Sequence, residues 1–319
     1  MNPVTFDESP HKEKKVVYDA WIPEWDSAGG LESLKLQPKL RYVSPVWYSL
    51  SKSGVIVENV TTLKDEITST ATESGALIVP TIGNSFDRVR THLLLSNRTQ
   101  SQIEIDKLVS IAISKNYAGF DIDWEELAEE DGPLYSKFIE QLAQTLHKNK
   151  KIITVSLHAR TGDPFEWVSA KAHDYKELNI NVDMVRIMAY DFHNPTSEPG
   201  PITPDGWLDR VIRYSKNNID TDKLVISLPF YGYDWTKGTP GVGVTYKEVE
   251  KLKELYNPQI KRDGPSGELN FEYTKNSQKH TVWFVDKFAV RYKIALSQKH
   301  GIYQFCFWRL GGEDPETWI

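Results

Sequence analysis

Apolar residues gather along the chain into short runs rich in β-branched and aromatic side chains, and several of these runs are separated by stretches with helical periodicity. Eight runs read as strands: Val16–Ile22, Leu40–Trp47, Ala76–Ile82, Gly119–Trp124, Ile152–Leu157, Met184–Tyr190, Leu224–Tyr231 and Ile302–Trp308. The clearest helix precedes the fourth run, where Ile105, Leu108, Val109, Ala112 and Ile113 fall at i, i+3, i+4, i+7 and i+8 as one apolar stripe. A second helix follows that run, entered at Pro133 and carrying Phe138, Ile139, Leu142 and Leu146 on one side. Strand alternating with helix implies parallel pairing. Eight such units predict an α/β fold, a (β/α)8 TIM barrel, with an open doubly wound sheet as the alternative.

One region breaks the rhythm. Between residues 232 and 281 the chain carries glycines, prolines and a hairpin pattern, Leu269–Tyr273 against Thr281–Val285. This reads as a small α+β insertion after the seventh strand of one barrel domain spanning 1–319. The 319 residues fit, because a barrel takes about 250 and the insertion accounts for the excess. Extensions at that point stand on the C-terminal rim, where barrels build their sites.

Composition changes the picture mainly by exclusion. A net charge of −6 gives no electrostatic reason to bind nucleic acid or an anionic membrane. No run approaches the roughly 18 apolar residues of a membrane span. The polar start, Asn2 to Lys15, has no signal-peptide core, so the compartment stays open: cytoplasmic as the chain stands, secreted or wall- or spore-associated if a leader has been removed. The single cysteine, Cys306, lies among Ile302, Phe305 and Phe307 and reads as a buried structural thiol. His158 and His193 lack metal-ligand spacing and read as hydrogen-bonding groups at the rim, so no metal or cofactor is expected. No Gly-x-Ser-x-Gly elbow is present, and the glycines near Gly241 and Gly243 match neither phosphate-binding fingerprint.

The informative segment is Gly119-Phe120-Asp121-Ile122-Asp123-Trp124-Glu125, where acids alternate with large apolar residues at the strand period of two. All three carboxylates share one face. The bland reading is an edge strand with its acids in water, but a mid-chain strand between two amphipathic helices is a poor edge. In a parallel barrel that face is the packed interior, and buried acids without matched partners usually persist because their perturbed ionisation is used. Glu125, nearest the C-terminal end, is the candidate general acid, its proton affinity raised by repulsion from Asp123. Glu126 should project to the opposite face. Neighbours on one strand cannot flank a glycosidic bond as the usual carboxylate pair does. The nucleophile must come from elsewhere, and a substrate's own 2-acetamido oxygen can serve, with Asp123 orienting that group.

At these residues the chain resembles the glycoside hydrolase family 18 chitinases and related N-acetylglucosaminidases, whose fourth strand carries Asp-x-x-Asp-x-Asp-x-Glu. Asp121, Asp123 and Glu125 match, and Ala118 replaces the first aspartate. Met188-Ala189-Tyr190-Asp191 resembles the family's sixth-strand motif, which implies that Met188, Tyr190 and Asp191 meet the N-acetylated sugar, Tyr190 through the acetamido oxygen. Leu228–Gly232 and Phe307–Asp314 resemble the seventh and eighth strands, and the inserted α+β unit is also a family feature. The resemblance makes Trp308 the floor of the cleaved sugar's subsite, and Trp21 is the second candidate aromatic of the cleft. Trp47, Trp124 and Trp235 receive no role. The resemblance implies retaining, substrate-assisted hydrolysis of β-1,4-linked N-acetylglucosamine polymers; a monomer is expected, the sequence leaving the oligomeric state open. Ser197–Ile202 and Trp21-Ile22-Pro23 look closer to bacterial cell-wall and spore-wall branches, which keeps peptidoglycan beside chitin. The alternative is a sugar-binding lectin on the same fold: Ala118 favours it, whereas the presence of Glu125 and Asp123 favours an enzyme.

Overall fold

The computed structural model describes residues 15–36, 39–164 and 167–318; nearly all of the polar start, residues 2–14, lies outside them. Eight parallel strands close into a barrel: Val17–Ile22, Leu40–Leu50, Leu77–Ile78 continued by Thr81–Gly83, Gly119–Asp123, Ile152–His158, Met184–Met188, Leu224–Pro229 and Gln304–Trp308. The first strand closes the ring, pairing with the last through Asp19 and Cys306 and with the second through Ala20 and Val43. The open-sheet alternative therefore falls.

Pro80, which has no N–H to give a ladder, interrupts the run read as Ala76–Ile82, and the third strand splits around Val79–Pro80. The second strand runs on to Leu50 and turns back against Ile56–Glu58 as an antiparallel rim hairpin. The sixth strand ends at Met188, short of Tyr190, and the seventh at Pro229, short of Tyr231. These ends release side chains from the ladder at the C-terminal rim.

Both helices flanking the fourth strand form, as Arg98–Ser114 and Gly132–Lys148. The apolar stripe of the first is narrower than its pattern, because Ile113 in the last turn is 52% exposed. Phe138, Ile139, Leu142 and Leu146 of the second are buried, each such side chain contributing about 1.5–3 kcal/mol. The main core fills the layer between strands and helices. The barrel interior holds a smaller apolar cluster, Trp21, Met184, Val225 and Cys306, beside a set of buried polar residues.

After the seventh strand a second sheet forms, antiparallel, from Gly232–Thr236, Val242–Val244, Lys261–Arg262, Leu269–Lys275 and Gln278–Phe284. It reaches Phe284, three residues past the 281 boundary read from sequence. Its hairpin pairs Tyr273 with His280 across a two-residue loop, Asn276–Ser277, whose residues both take positive φ as such loops require. A helix, Tyr246–Tyr256, starts from a capping box between Thr245 and Glu248 and packs Val249 onto Phe271, Val282 and Phe284. The base of this unit is tied to the barrel by Lys293, which donates to the carbonyls of Thr203 and Ser266 at 2.6 and 2.8 Å and sits 3.2 Å from Glu268. Glu268 in turn accepts from the amides of Ile202 and Thr203.

Candidate active site

Strand periodicity aims Asp19, Asp121, Thr154, Ser156 and Arg186 into the barrel, all fully buried. Asp121 is the hub. It accepts from Trp21 Nε1 and Thr81 Oγ1, both at 2.9 Å, from Thr154 Oγ1 at 2.5 Å and from Ser156 Oγ at 3.0 Å. Arg186 lies 3.4 Å from Asp121 and 3.6 Å from Asp19, donates to Ser44 Oγ at 2.8 Å and stacks over the Trp21 ring. Ala118, at the position where the resembled motif has an acid, contributes only backbone pairing, to Ile78 and Ile152.

Above this network a cavity of about 540 Å³ opens at the C-terminal ends of the strands, bordered by Asp123, Glu125, Met188, Tyr190, Asp191 and Trp308. Burial is the main force raising the Asp123 carboxyl well above the usual carboxylate range, and the charges of Glu125 and Asp121 add to it. Its Oδ1 has no hydrogen-bond partner among the described residues. Glu125 is pushed up to about 8, first by burial and then by the charges of Asp191 and Glu126. Desolvation in the pocket is the largest cause for both acids, and the repulsion expected between Asp123 and Glu125 appears in the raised Asp123 carboxyl. His158 Nε2 approaches Glu125 to 3.5 Å, and burial drives the imidazole down to about 4, so it is neutral near pH 7. Glu126 turns away, as its sequence position suggests, to Arg88 and Ser169.

Glu125 lies beyond the last ladder pair, Gly83 with Asp123. The side chain of Asn84 continues the pairing: its Oδ1 accepts from the Glu125 amide at 3.1 Å and its Nδ2 donates to the Glu125 carbonyl. The same carboxamide also accepts from Phe86 N and contacts Thr91 Oγ1. It thereby fixes a turn in which Ser85 and Phe86 both take positive φ. Asn84 has no titratable group and was not singled out from sequence; neither were Trp25 and Phe86, which border the cavity at 66% and 69% exposure.

On the far wall Asp191, at φ 62°, accepts from the hydroxyls of Tyr231 and Tyr233. Burial raises the Tyr190 phenol well above its ordinary value, and the charges of Asp123, Glu125 and Asp191 add to it. Trp308 packs edge-on against both Trp21 and Trp25. Trp21 itself does not reach the cavity. It is 1% exposed, packed against Trp308 with its indole N–H committed to Asp121, so its sequence assignment as a cleft residue is corrected to a support for Trp308. His193 bonds the Pro201 carbonyl at 2.8 Å, and Cys306 is a fully buried thiol. No cluster of metal-ligating side chains occurs among the described residues.

Comparison with known proteins places this geometry. The family model for glycosyl hydrolases family 18 matches residues 28–313. An uncharacterized glycosylase, YvbX, of Bacillus subtilis strain 168 is 30% identical over 237 residues, 73% of this chain and 69% of that protein. The spore cortex-lytic enzyme SleL of Bacillus cereus shares the fold at TM-score 0.87 and 24% identity over 95% of this chain and 73% of its own. A chitinase of Chromobacterium violaceum does so at TM-score 0.87 and 23% identity, covering 95% and 96%. Matched over most of its length, and with the fold of that group, the chain belongs to glycosyl hydrolases family 18.

Proposed function

We propose that the chain hydrolyses β-1,4 bonds in N-acetylglucosamine-containing polymers, chitin or peptidoglycan, with retention of configuration and with the substrate's 2-acetamido group as nucleophile. The observation that carries this reading is that a proton-holding Glu125 and a half-buried Asp123, whose Oδ1 is enclosed without a hydrogen-bond partner among the described residues, border one cavity. Glu125 donates its proton to the glycosidic oxygen as the C1–O bond breaks, while the acetamido oxygen attacks C1 from the other face. Asp123 accepts from the acetamido N–H, and the Tyr190 hydroxyl donates to its oxygen. The leaving sugar departs with the proton; Glu125, now a carboxylate, takes one from water as that water opens the cyclic intermediate at C1. Trp308 and Met188 floor the sugar, and Asp191 meets its hydroxyls.

Proteins named for spore-cortex lysis and for chitin cleavage both resemble the chain, which supports amino-sugar polymers as the class. The lectin alternative drew on Ala118, but Asp121 has its acceptor positions filled by Trp21, Thr81, Thr154 and Ser156. The deciding measurement compares N-acetylglucosamine hexamer with the β-1,4 glucose hexamer. Cleavage of the first alone is the expected result; equal cleavage removes the substrate-assisted step, and cleavage of neither removes the enzyme reading.

Asn84 acts in this reading as a positioning residue. Asn84→Ala should lower kcat by about ten- to a hundredfold with KM nearly unchanged, the scale of a misplaced acid. A rise in KM at constant kcat would assign Asn84 to substrate binding instead.

A further inference from the structure

The cavity wall is one-sided in charge. Five acidic residues border it, Glu24, Asp123, Glu125, Asp191 and Glu248, against one cation, Arg309; burial favours the protonated form of Asp123, Glu125 and Asp191, so Glu24 and Glu248 are the acids on which like-charge repulsion depends. That cation is already committed: its guanidinium bonds Asp26 and the Leu310 carbonyl. Glu24 and Glu248 border the cavity together with Trp25 and Trp308. Glu24 adjoins Trp25, and the helix bearing Glu248 is anchored by Tyr246 N to the Gly312 carbonyl, just past Trp308. One oxygen of Glu24 is buried with no hydrogen-bond partner among the described residues, so it has no donor to offset its charge.

Building on the reading above, we infer that this cleft accepts uncharged amino-sugar chains and rejects chains whose sugars carry a free carboxylate. Sugar hydroxyls and amide N–H groups donate to these carboxylates at little cost. An anionic substituent brought into the same space faces like charge with no free cation to answer it. It also strengthens the hold of Glu125 on its proton and opposes its transfer. Exclusion by repulsion, more than attraction, is what separates two polymers with the same backbone and the same acetamido groups.

The test uses three substrates of one length: N-acetylglucosamine hexamer, a peptide-free strand alternating N-acetylglucosamine with N-acetylmuramate, and that strand after methyl esterification of its lactyl carboxyls. The expected result is cleavage of the hexamer and the ester, with kcat/KM on the free acid at least about tenfold below that on the ester. Added salt should narrow the gap. Glu248→Gln, which keeps the helix cap, and Glu24→Gln should each narrow it as well. Equal rates on acid and ester overturn the inference, as does failure of both while the hexamer is cleaved, since bulk is then the barrier. Failure on the hexamer as well removes the underlying hydrolase reading, a result distinct from the other two.

Discussion

Replacing Glu125 by Gln should leave the fold and oligosaccharide binding in place and reduce turnover by about a hundredfold or more, the scale of a lost general acid. Glutamine keeps the shape of the side chain and the backbone grip of Asn84 on residue 125 but has no proton of suitable acidity. Two pH signatures separate this outcome from simple structural damage. In the parent protein turnover should fall as pH rises past about 8, where Glu125 loses its proton, a limb that the variant lacks. Stability should move as well. The unfolded chain ionises Glu125 near 4.5, whereas the folded protein keeps the proton to about 8. Between those values the native state binds the extra proton, so stability declines as pH rises across that window. Below 4.5 both states are protonated and the effect vanishes. The variant is free of this penalty and should gain on the parent by an amount on the order of a few kcal/mol at pH 8, and by nothing at pH 4. Thermal unfolding at the two pH values reads the difference. A variant that stays fully active, or whose stability tracks the parent at every pH, would remove Glu125 from the acid's role.

The second large effect falls outside the cavity. Arg186→Met should destabilise the protein by about 3 kcal/mol, near the lower end for breaking a buried ion pair. Methionine matches the length of the side chain, but Asp121 loses the cation 3.4 Å away and Trp21 the guanidinium stacked on its ring. The cost stops short of the upper range because Asp19 keeps a bidentate partner in Arg41, at 3.0 and 2.7 Å, and Asp121 keeps its four donors. At about 2–4 °C per kcal/mol the midpoint should drop by roughly 6–12 °C. Arg186 also draws the Asp123 carboxyl downward, so its loss should strengthen proton retention there. A midpoint within about 2 °C of the parent would show that the buried guanidinium is energetically neutral, as some buried pairs are against apolar replacements.

The barrel could be read from the chain because its signals are local and repeated: short β-branched runs, and helices with one apolar face. The shared face of Asp121 and Asp123 followed from the same periodicity, and both side chains do point inward. What the pattern could not give were the points where the ladder stops. Tyr190, Asp191 and Glu125 all lie past the ends of their strands, and their aim is set by turns and by side-chain clamps from distant segments. Asn84 belongs to that second kind, since its partner is 41 residues away and its amide carries no charge to draw notice. Trp21 was misplaced because an indole on an interior strand reads the same whether it meets sugar or an aspartate. Arg186 did leave a signal: one arginine centred in Met184-Val185-Arg186-Ile187-Met188 must be either paired or exposed. Its position on a buried strand pointed to an internal acid.

The tie made by Lys293 and Glu268 bears on how the cleft can move. Thr245 and Glu248 form one bank of the groove and belong to the antiparallel unit, whose base is pinned through that enclosed cation to the carbonyls of Thr203 and Ser266. Swinging the bank outward would take Ser266 and Glu268 from an ammonium enclosed away from water, leaving it the Thr203 carbonyl and Asp205. Widening the groove therefore costs buried ion-pair and hydrogen-bond contacts, and adjustment to a bound carbohydrate falls first to the side chains on its banks.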